Sequence, residues 1–377
     1  MAENFQIREL INAETVAQIG SDIKRAWPAF DEEGFKSALL PIDPEVSIKA
    51  RGELIAAQLA VFLPEPYPEA IAILQRSFGP EIGDPDVEGG GSFYYLAHSA
   101  FVRAYGLAPE DYEVSMKAVY EITKRFTSEW AIRAFLIAYP EKTLERLSVW
   151  VKDPNLHVRR LVSEGIRPRL PWAERLKMFQ ADPKPVLQLL EHLKADPVQY
   201  VRRSVANNLN DIAKDYPDLV VTTLEKWQKN GDPGTQWIIR HALRSLVKAG
   251  HRGALNLLGF RQDVNIAVKN LQLNTDRLMI GKSLSFSFDV HSEEAENCTL
   301  MVDFIIHFLK ANGQLAPKVF KLTQKELVAG KTMTFSKAHS FKRINTRKYY
   351  PGRHALEVQI NGKGYGLHYF ELVEESS

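Results

Sequence analysis

The sequence feature that most constrains the fold of this chain is an internal repeat. Asp153-Pro-Asn-Leu-His-Val-Arg-Arg-Leu-Val-Ser aligns with Asp196-Pro-Val-Gln-Tyr-Val-Arg-Arg-Ser-Val-Ala, 43 residues further on. A looser copy begins at Asp232-Pro, and a degenerate copy begins at Thr127. One copy of so short a unit cannot bury its own apolar face, so neighbouring copies have to stack on one another.

The period and residue pattern of the repeat are typical of HEAT-type helical pairs, which stack into a solenoid. Before residue 262, apolar residues recur three and four positions apart, as they do in amphipathic helices. Short segments with Asp before Pro separate these helices, and we expect the Asp to cap the next helix and the Pro to occupy its first position. The pattern therefore predicts a mainly α-helical solenoid over residues 1–261.

The hydrophobic pattern changes to strict alternation after residue 262. Ser283-Leu-Ser-Phe-Ser-Phe-Asp-Val places four apolar side chains on one face of a strand. Further strands are predicted at 300–309, 318–323, 332–341, 354–360 and 365–373, with Asn-Gly, Ala-Gly and Pro-Gly turns between them. Several short strands at this spacing predict a β-sandwich over residues 262–377, with a domain boundary at about 261–265.

The composition excludes several classes of protein. The chain has 377 residues, of which 45% are hydrophobic and 25% charged, values that exclude a disordered or collagen-like chain. No apolar run reaches the roughly 18 residues of a membrane-spanning helix, and the N-terminus lacks the pattern of a secretory signal. The single cysteine, Cys298, excludes an intrachain disulfide and a cysteine-based zinc site. We therefore expect a cytoplasmic protein without a membrane partner.

The net charge of +2 conceals a strong asymmetry along the chain. Residues 1–122 carry a balance of −11, residues 123–261 carry +10, and residues 262–377 carry +3. Between Lys310 and Lys363 there are 12 basic residues and two acids. A basic middle and a basic C-terminal stretch favour a polyanion as the partner, although a solvated surface of mixed sign would give the same count.

One arginine recurs in each copy of the repeat, at positions 133, 160, 203 and 240. Positions four and eight residues away on the same helical face add both cations and carboxylates. Arginines can bind phosphates, but carboxylates would repel a DNA backbone unless the ligand carries local positive charge. The alternative for each of these residues alone is an ordinary surface ion pair or a bridge between repeats.

Three segments resemble those shared by AlkC-type DNA alkylation repair proteins: Glu121–Leu136, Asp153–Trp172 and Asp196–Lys214. The resemblance covers about residues 1–261, and some proteins of this type also carry a C-terminal immunoglobulin-like domain, which fits residues 262–377. It implies a monofunctional DNA-3-methyladenine glycosylase of the AlkC/AlkD superfamily. Such an enzyme removes cationic bases such as 3-methyladenine and 3-methylcytosine without drawing the nucleotide into a deep pocket. The implied partner is double-stranded DNA containing alkylated bases, and we expect a monomer.

The chemistry of that reaction fits the mixture of charges. An alkylated, cationic base is a good leaving group, so the enzyme mainly has to stabilise an oxocarbenium-like sugar and position a water molecule. Carboxylates can do this, and aromatic rings can add cation–π attraction. The candidate catalytic acids are Glu121, Glu164 and Asp211, and the candidate aromatic contacts to the lesion are Trp130 and Trp172.

The candidate DNA contacts are basic residues of both halves, the C-terminal half being expected to help encircle the duplex. They are Arg125, Arg133, Arg160, Arg203, Arg240, Arg244, Lys342, Arg343, Arg347 and Lys348. The histidines and the single cysteine show no metal-binding spacing, so no metal and no cofactor are expected. Glu88-Gly-Gly-Gly-Ser lacks the lysine of a nucleotide-binding loop and is interpreted as a hinge or loop. Two alternatives stay open: a non-catalytic HEAT-repeat module that binds nucleic acid or an acidic protein, and a structural adaptor.

Overall fold

The structure, a computed structural model, describes residues 6–84, 92–229 and 231–374; the glycines at 89–91 lie outside these residues. Two 3-10 turns, Ile7–Leu10 and Pro109–Asp111, accompany the α-helices. The α-helices are α1 Ala13–Ala26, α2 Glu32–Leu39, α3 Ile48–Phe62, α4 Tyr67–Arg76, α5 Tyr95–Tyr105, α6 Tyr112–Thr123, α7 Glu129–Ala138, α8 Pro140–Trp150, α9 Leu156–Gly165, α10 Lys177–Ala181, α11 Lys184–Leu193, α12 Gln199–Ile212, α13 Pro217–Gln228, α14 Pro233–Ala242, α15 Arg244–Lys248 and α16 Arg252–Leu257.

The strands all follow the last helix. They are β1 Ile266–Leu273, β2 Arg277–Met279, β3 Ser283–Ser292, β4 Cys298–Leu309, β5 Leu315–Leu327, β6 Thr332–Ser340, β7 Gly352–Ile360 and β8 Lys363–Val373. The expectation of a helical N-terminal region followed by a strand-rich C-terminal region is therefore confirmed. None of the helices described here is both long and apolar enough to cross a lipid bilayer.

The chain forms two compact units. Unit 1 comprises Met1–Tyr216 and Lys226–Ala242, and unit 2 comprises Pro217–Glu225 and Leu243–Ser377. The short helices α15 and α16 belong to unit 2, where Gln359 Nε2 donates to Lys248 O and Asn361 Nδ2 donates to Arg261 O at 2.6 Å. Hydrogen bonds from the end of β7 and from the turn that follows it thus connect the strands of unit 2 to its helical part.

Within unit 1, one helix of each successive repeat contacts the next. α3, α5, α7, α9, α12 and α14 form this row, each packed on its neighbours. The apolar positions of the repeat explain the packing, because Val158 and Leu161 of α9 and Val201 and Val205 of α12 are all buried. Side chains at equivalent positions of neighbouring repeats are consequently brought close together, although they lie about 40 residues apart in sequence.

The helix starts differ from the sequence-based expectation at two of the Asp-Pro pairs. Asp232 and Pro233 behave as predicted, since the Asp232 carboxylate accepts from Thr235 N at 2.9 Å and Pro233 begins α14. Asp153 and Asp196 instead each accept from the backbone N–H two residues later, and the helix begins beyond that point. A short acceptor side chain can close a local turn of this kind as well as cap a helix.

Unit 2 contains a three-stranded sheet in the order β1-β3-β6 and a five-stranded sheet in the order β2-β8-β7-β4-β5. Alternate side chains of β3 and β4 are buried in a common core, with Phe286 and Phe304 ring centroids 5.0 Å apart. The six predicted strands are present. The sequence pattern missed β1 and β2, because β1 carries an irregularity between Lys269 and Gln272 and β2 has only three residues.

Candidate active site

Two arginines join three carboxylates of unit 1 into one ion-pair network. Arg160 Nη1 lies 3.0 Å from Glu129 Oε2, and Arg160 Nη2 lies 3.5 Å from Glu164 Oε1. Arg167 Nη1 lies 2.7 Å from the same Glu164 oxygen, and Arg167 Nε lies 2.9 Å from Asp211 Oδ2. We call these five residues the carboxylate network; its members come from three successive repeats.

The stacked repeats explain how these side chains meet. Glu129 is the first residue of α7, Arg160 and Glu164 lie one turn apart on α9, and Asp211 lies in the last turn of α12. Because α7 packs on α9 and α9 packs on α12, the three carboxylates are brought within reach of the two guanidinium groups. The packing of the repeat helices therefore determines where the side chains of the network lie. Which residues occupy these positions is not determined by the repeat.

The network places three carboxylates among several cations. Three carboxylates face two guanidinium groups within the network, and the buried Arg133 interacts electrostatically with Glu129 and Glu164. Lys214 Nζ lies 2.9 Å from Asp211 Oδ1, but 48% of that lysine side chain is exposed, so it can move into solvent. The carboxylates therefore offer negative charge at three defined positions, where a cationic group can be stabilised locally.

The carboxylates of Glu164 and Glu129 have different electrostatic environments. Burial by itself raises the pKa of Glu164, but Arg160, Arg167 and the Ser204 hydroxyl outweigh it and hold that pKa below its ordinary value. Burial raises the pKa of Glu129 above its ordinary value; Arg160 opposes the rise and the nearby Glu164 adds to it. Glu164 is thus held ionised, whereas Glu129 accepts a proton more readily.

Hydrogen bonds between helices fix the Glu164 carboxylate. Ser204 Oγ of α12 donates to Glu164 Oε2 at 2.6 Å and lies 2.9 Å from Ser163 Oγ of α9. Asn208 Nδ2, one turn further along α12, donates to Ser163 O at 2.8 Å. All four side chains are buried, so the carboxylate has one well-defined position.

A pocket lined by two tryptophans lies beside the network. Trp130, Trp172 and Glu129 line a cavity of about 190 Å³, together with Ile48, Phe93, Leu96, Phe126 and Thr127. The same tryptophans line an adjoining cleft of about 390 Å³. Lys49 Nζ lies 5.7 Å from the centre of the Trp130 ring, which shows that this ring can accept a cation. We call the two cavities the tryptophan pocket.

Trp172 is presented by an unusual turn. Its backbone φ is +62°, a conformation that favours glycine, and the residue is 74% exposed. Pro171 precedes it, and Ala173 N donates to Leu170 O at 3.4 Å across the turn. A bulky residue held in a left-handed backbone conformation costs about 1–3 kcal/mol of folding free energy. Residues strained in this way are concentrated at functional sites.

The structure brings together four of the five candidate catalytic and aromatic residues. Glu164 and Asp211 share Arg167, and Trp130 and Trp172 share a cavity with Glu129. Glu121 instead forms its ion pairs with Lys124 and Arg125, three and four residues along the chain. Its described ion pairs include no member of the carboxylate network, and we therefore replace it with Glu129 in the proposed site.

Sequence reasoning gave Glu129 and Arg167 no role at the site. Helical spacing places Glu129 on the face of the repeat arginines, four residues before Arg133, but the start of the family-like segment favours Glu121. Arg167 lies beyond the end of α9 and outside the helical repeat, so the periodicity did not include it. The spacing of three residues between Glu164 and Arg167 was the one available sequence signal.

Three of the predicted DNA-binding arginines make intramolecular contacts that give them structural roles. Arg133 is fully buried and donates to the carbonyl oxygens of Gly165, Arg167 and Glu174. Arg125 Nε donates to Gly79 O at 2.7 Å and also pairs with Glu121. Arg160 belongs to the carboxylate network. Complete burial corrects the expectation of a phosphate contact for Arg133, whereas DNA contacts by the partly exposed Arg125 and Arg160 stay a prediction.

The other predicted cations have more accessible positions. The exposed ones are Arg203 and Arg240 on the repeat helices of unit 1, and Lys342, Arg343 and Lys348 in the β6–β7 connection of unit 2. Arg244 is half-buried in unit 2. Arg347 is also half-buried, with its guanidinium carbon 4.1 Å from the centre of the Phe308 ring. Within residues 6–84, 92–229 and 231–374, no group of His, Cys, Asp or Glu side chains is placed to hold a metal ion.

Comparisons with known proteins agree with these features. A family model described as "DNA alkylation repair enzyme" matches residues 96–246, which contain the carboxylate network. A second model, described as the C-terminal Ig-like domain of the uncharacterised protein YhaZ, matches residues 267–374. Uncharacterized protein YhaZ of Bacillus subtilis (strain 168) is 38% identical over 358 residues, which cover 95% of this chain and 96% of that protein.

A solved structure shows the same likeness over nearly the whole chain. The alkylpurine DNA glycosylase AlkC of Pseudomonas fluorescens, bound to DNA containing an abasic site analog, matches with a TM-score of 0.88 and 37% identity. The match covers 97% of this chain and 99% of that chain. Fold and site together define a DNA alkylation repair protein. More closely, the chain belongs to the AlkC-type family and carries a C-terminal immunoglobulin-like domain.

Proposed function

We propose that this protein is a monofunctional DNA glycosylase that removes cationic alkylated bases, such as 3-methyladenine and 3-methylcytosine, in base excision repair. The observation that carries the proposal is the group of carboxylates in the network, one of which, Glu129, also lines the tryptophan pocket. A site built in this way favours a flat cation over a neutral base or a phosphate. The AlkC relative, described as a glycosylase bound to abasic DNA, supports the assignment.

The proposed reaction is hydrolysis of the N-glycosidic bond. As the bond between C1′ and the base nitrogen breaks, its electron pair returns to the base, which leaves uncharged. Positive charge then passes to the sugar, where the carboxylates of Glu164 and Asp211 stabilise it. A water oxygen bonds to C1′ and loses a proton to Glu129, whose raised pKa makes it the better proton acceptor. The products are a free base and an abasic site.

The tryptophans have a separate proposed role. The rings of Trp130 and Trp172 would contact the face of the cationic base. This cation–π attraction holds the base before the glycosidic bond breaks, and it weakens once the base is neutral. A shallow, partly exposed pocket does not require the nucleotide to enter the protein interior. This arrangement supports excision without deep base flipping.

DNA binding is assigned to the exposed cations of both units. In unit 1 these are Arg203 and Arg240, and in unit 2 they are Lys342, Arg343 and Lys348, with Arg244 in support. We propose that the helical repeats of residues 1–261 form a HEAT-like solenoid and that residues 262–377 form a β-sandwich which adds a second DNA contact. The proposed active form is a monomer without a cofactor.

The decisive experiment is base release from defined duplexes. Oligonucleotides that contain 3-methyladenine or 3-methylcytosine are incubated with the protein, and the free base is measured by mass spectrometry. We expect free base and alkali-sensitive abasic DNA, no strand cleavage without alkali, and unchanged rates in the presence of a chelator. DNA binding without any base release would instead favour the non-catalytic binding module.

A further inference from the structure

Arg133 is one of the largest fully buried side chains in the described part of the protein, and all of its described hydrogen bonds go to backbone carbonyls. Nη1 donates to Gly165 O at 2.9 Å and to Arg167 O at 2.8 Å. Nε donates to Glu174 O at 3.0 Å, and Nη2 donates to the same oxygen. One guanidinium group therefore connects the start and the end of segment 165–174.

The segment between these carbonyls carries two parts of the proposed active site. Arg167 reaches from it to Glu164 and Asp211, and Trp172 projects from its left-handed turn into the tryptophan pocket. The turn is closed by a long backbone hydrogen bond of 3.4 Å from Ala173 N to Leu170 O, and Leu176 N donates to Pro168 O at 3.2 Å around it. Arg169, which pairs with Asp215, anchors the segment from outside, and Arg133 anchors it from the protein interior.

The shape of the guanidinium group matters for this arrangement. It presents five N–H donors in a rigid plane, so that it can bond three carbonyls in different directions at once. A lysine ammonium on a flexible chain keeps the charge but cannot reproduce this spacing. Because the acceptors are backbone carbonyls, the contact fixes the path of the chain, whichever side chains the segment carries.

We propose that Arg133 is a positioning residue that holds segment 165–174, and with it Trp172, in the geometry required for excision. The effect on excision rests on the glycosylase function proposed above. Arg133 acts from beneath the segment and does not touch the substrate. A displacement of about 1 Å at a reacting site lowers a rate by up to roughly 100-fold, so a small loosening of the segment would be visible in the kinetics.

The first test measures the free protein, without DNA. Hydrogen–deuterium exchange is compared between the wild type and Arg133→Lys, which keeps the buried charge and is better suited to fold than Arg133→Met. We expect faster exchange in peptides covering 165–176 and unchanged exchange in α11 and in the strands of unit 2. Unchanged exchange over 165–176, or a uniform increase over the whole protein, would overturn the proposed role.

The second test connects the segment to catalysis. Single-turnover excision is measured for Arg133→Lys, Trp172→Ala and the double variant. We expect the excision rate of Arg133→Lys to be roughly 10- to 100-fold lower than that of the wild type, with unchanged affinity for undamaged DNA. The excision rate of the double variant should be close to that of Trp172→Ala alone. Fully multiplicative effects of the two changes would show that Arg133 does not act through Trp172 and would overturn the proposal.

Arg159 provides the matched control. It also bridges repeats, through Asp196 Oδ2 at 2.6 Å, but its described bonds do not involve segment 165–174. Arg159→Lys should leave both the exchange over 165–176 and excision unchanged; a decrease equal to that of Arg133→Lys would count against a specific role. If the wild type releases no base, the proposed function fails, whereas the exchange experiment still decides whether Arg133 holds the segment.

Discussion

At the scale of single residues, two arginines and a serine hold the Glu164 carboxylate ionised. Glu164→Gln keeps the shape and removes the charge, so single-turnover excision should slow by about 10²–10³-fold while binding of undamaged DNA changes little. Glu113→Gln is the control, because Glu113 is an exposed acid paired with Lys142 and Arg146. Equal rates for Glu164→Gln and the wild type would contradict the assignment.

Glu129 and Glu121 offer a direct comparison between the structural and the sequence-based assignment. Glu129 lines the tryptophan pocket, whereas Glu121 pairs with Lys124 and Arg125. We expect Glu129→Gln to slow excision at least ten-fold more than Glu121→Gln, in line with the loss of a general base. The acid side of the pH–rate profile should also change only in Glu129→Gln. The reverse order would restore Glu121 as the catalytic acid.

Asp303 in β4 of unit 2 gives an expectation about stability. Burial raises its pKa from 3.8 to about 6, although Lys321 and Lys248 oppose the rise. The native state therefore binds more protons than the unfolded chain between these values, and stability decreases as the pH rises through this range. Above pH 6 the buried, ionised carboxylate lowers the free energy of unfolding by up to about 3 kcal/mol. Asp303→Asn should accordingly raise the thermal midpoint of unfolding at pH 8, with little gain at pH 4.

At the scale of helices, the two adjacent arginines of the repeats that begin at Asp153 and Asp196 have different roles. The first one binds the loop before its own helix, as Arg159 does with Asp153 O and Arg202 does with Asp196 O. Arg159 also reaches Asp196 at the start of the next repeat. The bridging role considered from the sequence therefore applies to the first arginine, while the second one lies on the face that carries the proposed site.

The exposed repeat arginines, Arg203 and Arg240, lead to an expectation for DNA binding. Arg203→Ala and Arg240→Ala should each lower the magnitude of the log–log salt dependence of the dissociation constant by about 0.9, the contribution of one phosphate. Arg146→Ala on α8 is the control, because that residue pairs with Glu113. The measurement is fluorescence anisotropy of undamaged duplex over a salt series. Unchanged slopes for both variants would assign DNA binding to other residues.

At the scale of the whole molecule, truncation can test whether unit 2 contributes to DNA binding. Removal of residues 262–377 takes away Lys342, Arg343 and Lys348, and it also removes the partners of the Lys248 and Arg261 carbonyls. We expect weaker binding of undamaged DNA, a unit 1 that still unfolds cooperatively, and faster hydrogen exchange in α15 and α16. Full DNA affinity of the truncated protein would exclude unit 2 as a DNA contact.

The sequence by itself determined the features that depend on local periodicity. The repeat of Asp153 and Asp196 predicted stacked helices, and alternation around Phe286 predicted strands, because both patterns record which side chains are buried. Glu164, Asp211 and the two tryptophans could be selected for the same reason, since repeat positions and the family resemblance identify one face. The irregular β1 and the three-residue β2 carried no such periodic signal.

Only the tertiary structure decided which charges meet. Whether an arginine pairs with a carboxylate, a carbonyl or solvent depends on distances of a few ångströms between separate repeats, which spacing along the chain does not specify. Arg133 and Arg203 occupy equivalent repeat positions, yet the first is fully buried against carbonyls and the second is exposed. The same three-dimensional packing placed Glu129 beside Trp172 and left Glu121 with the cations of its own segment.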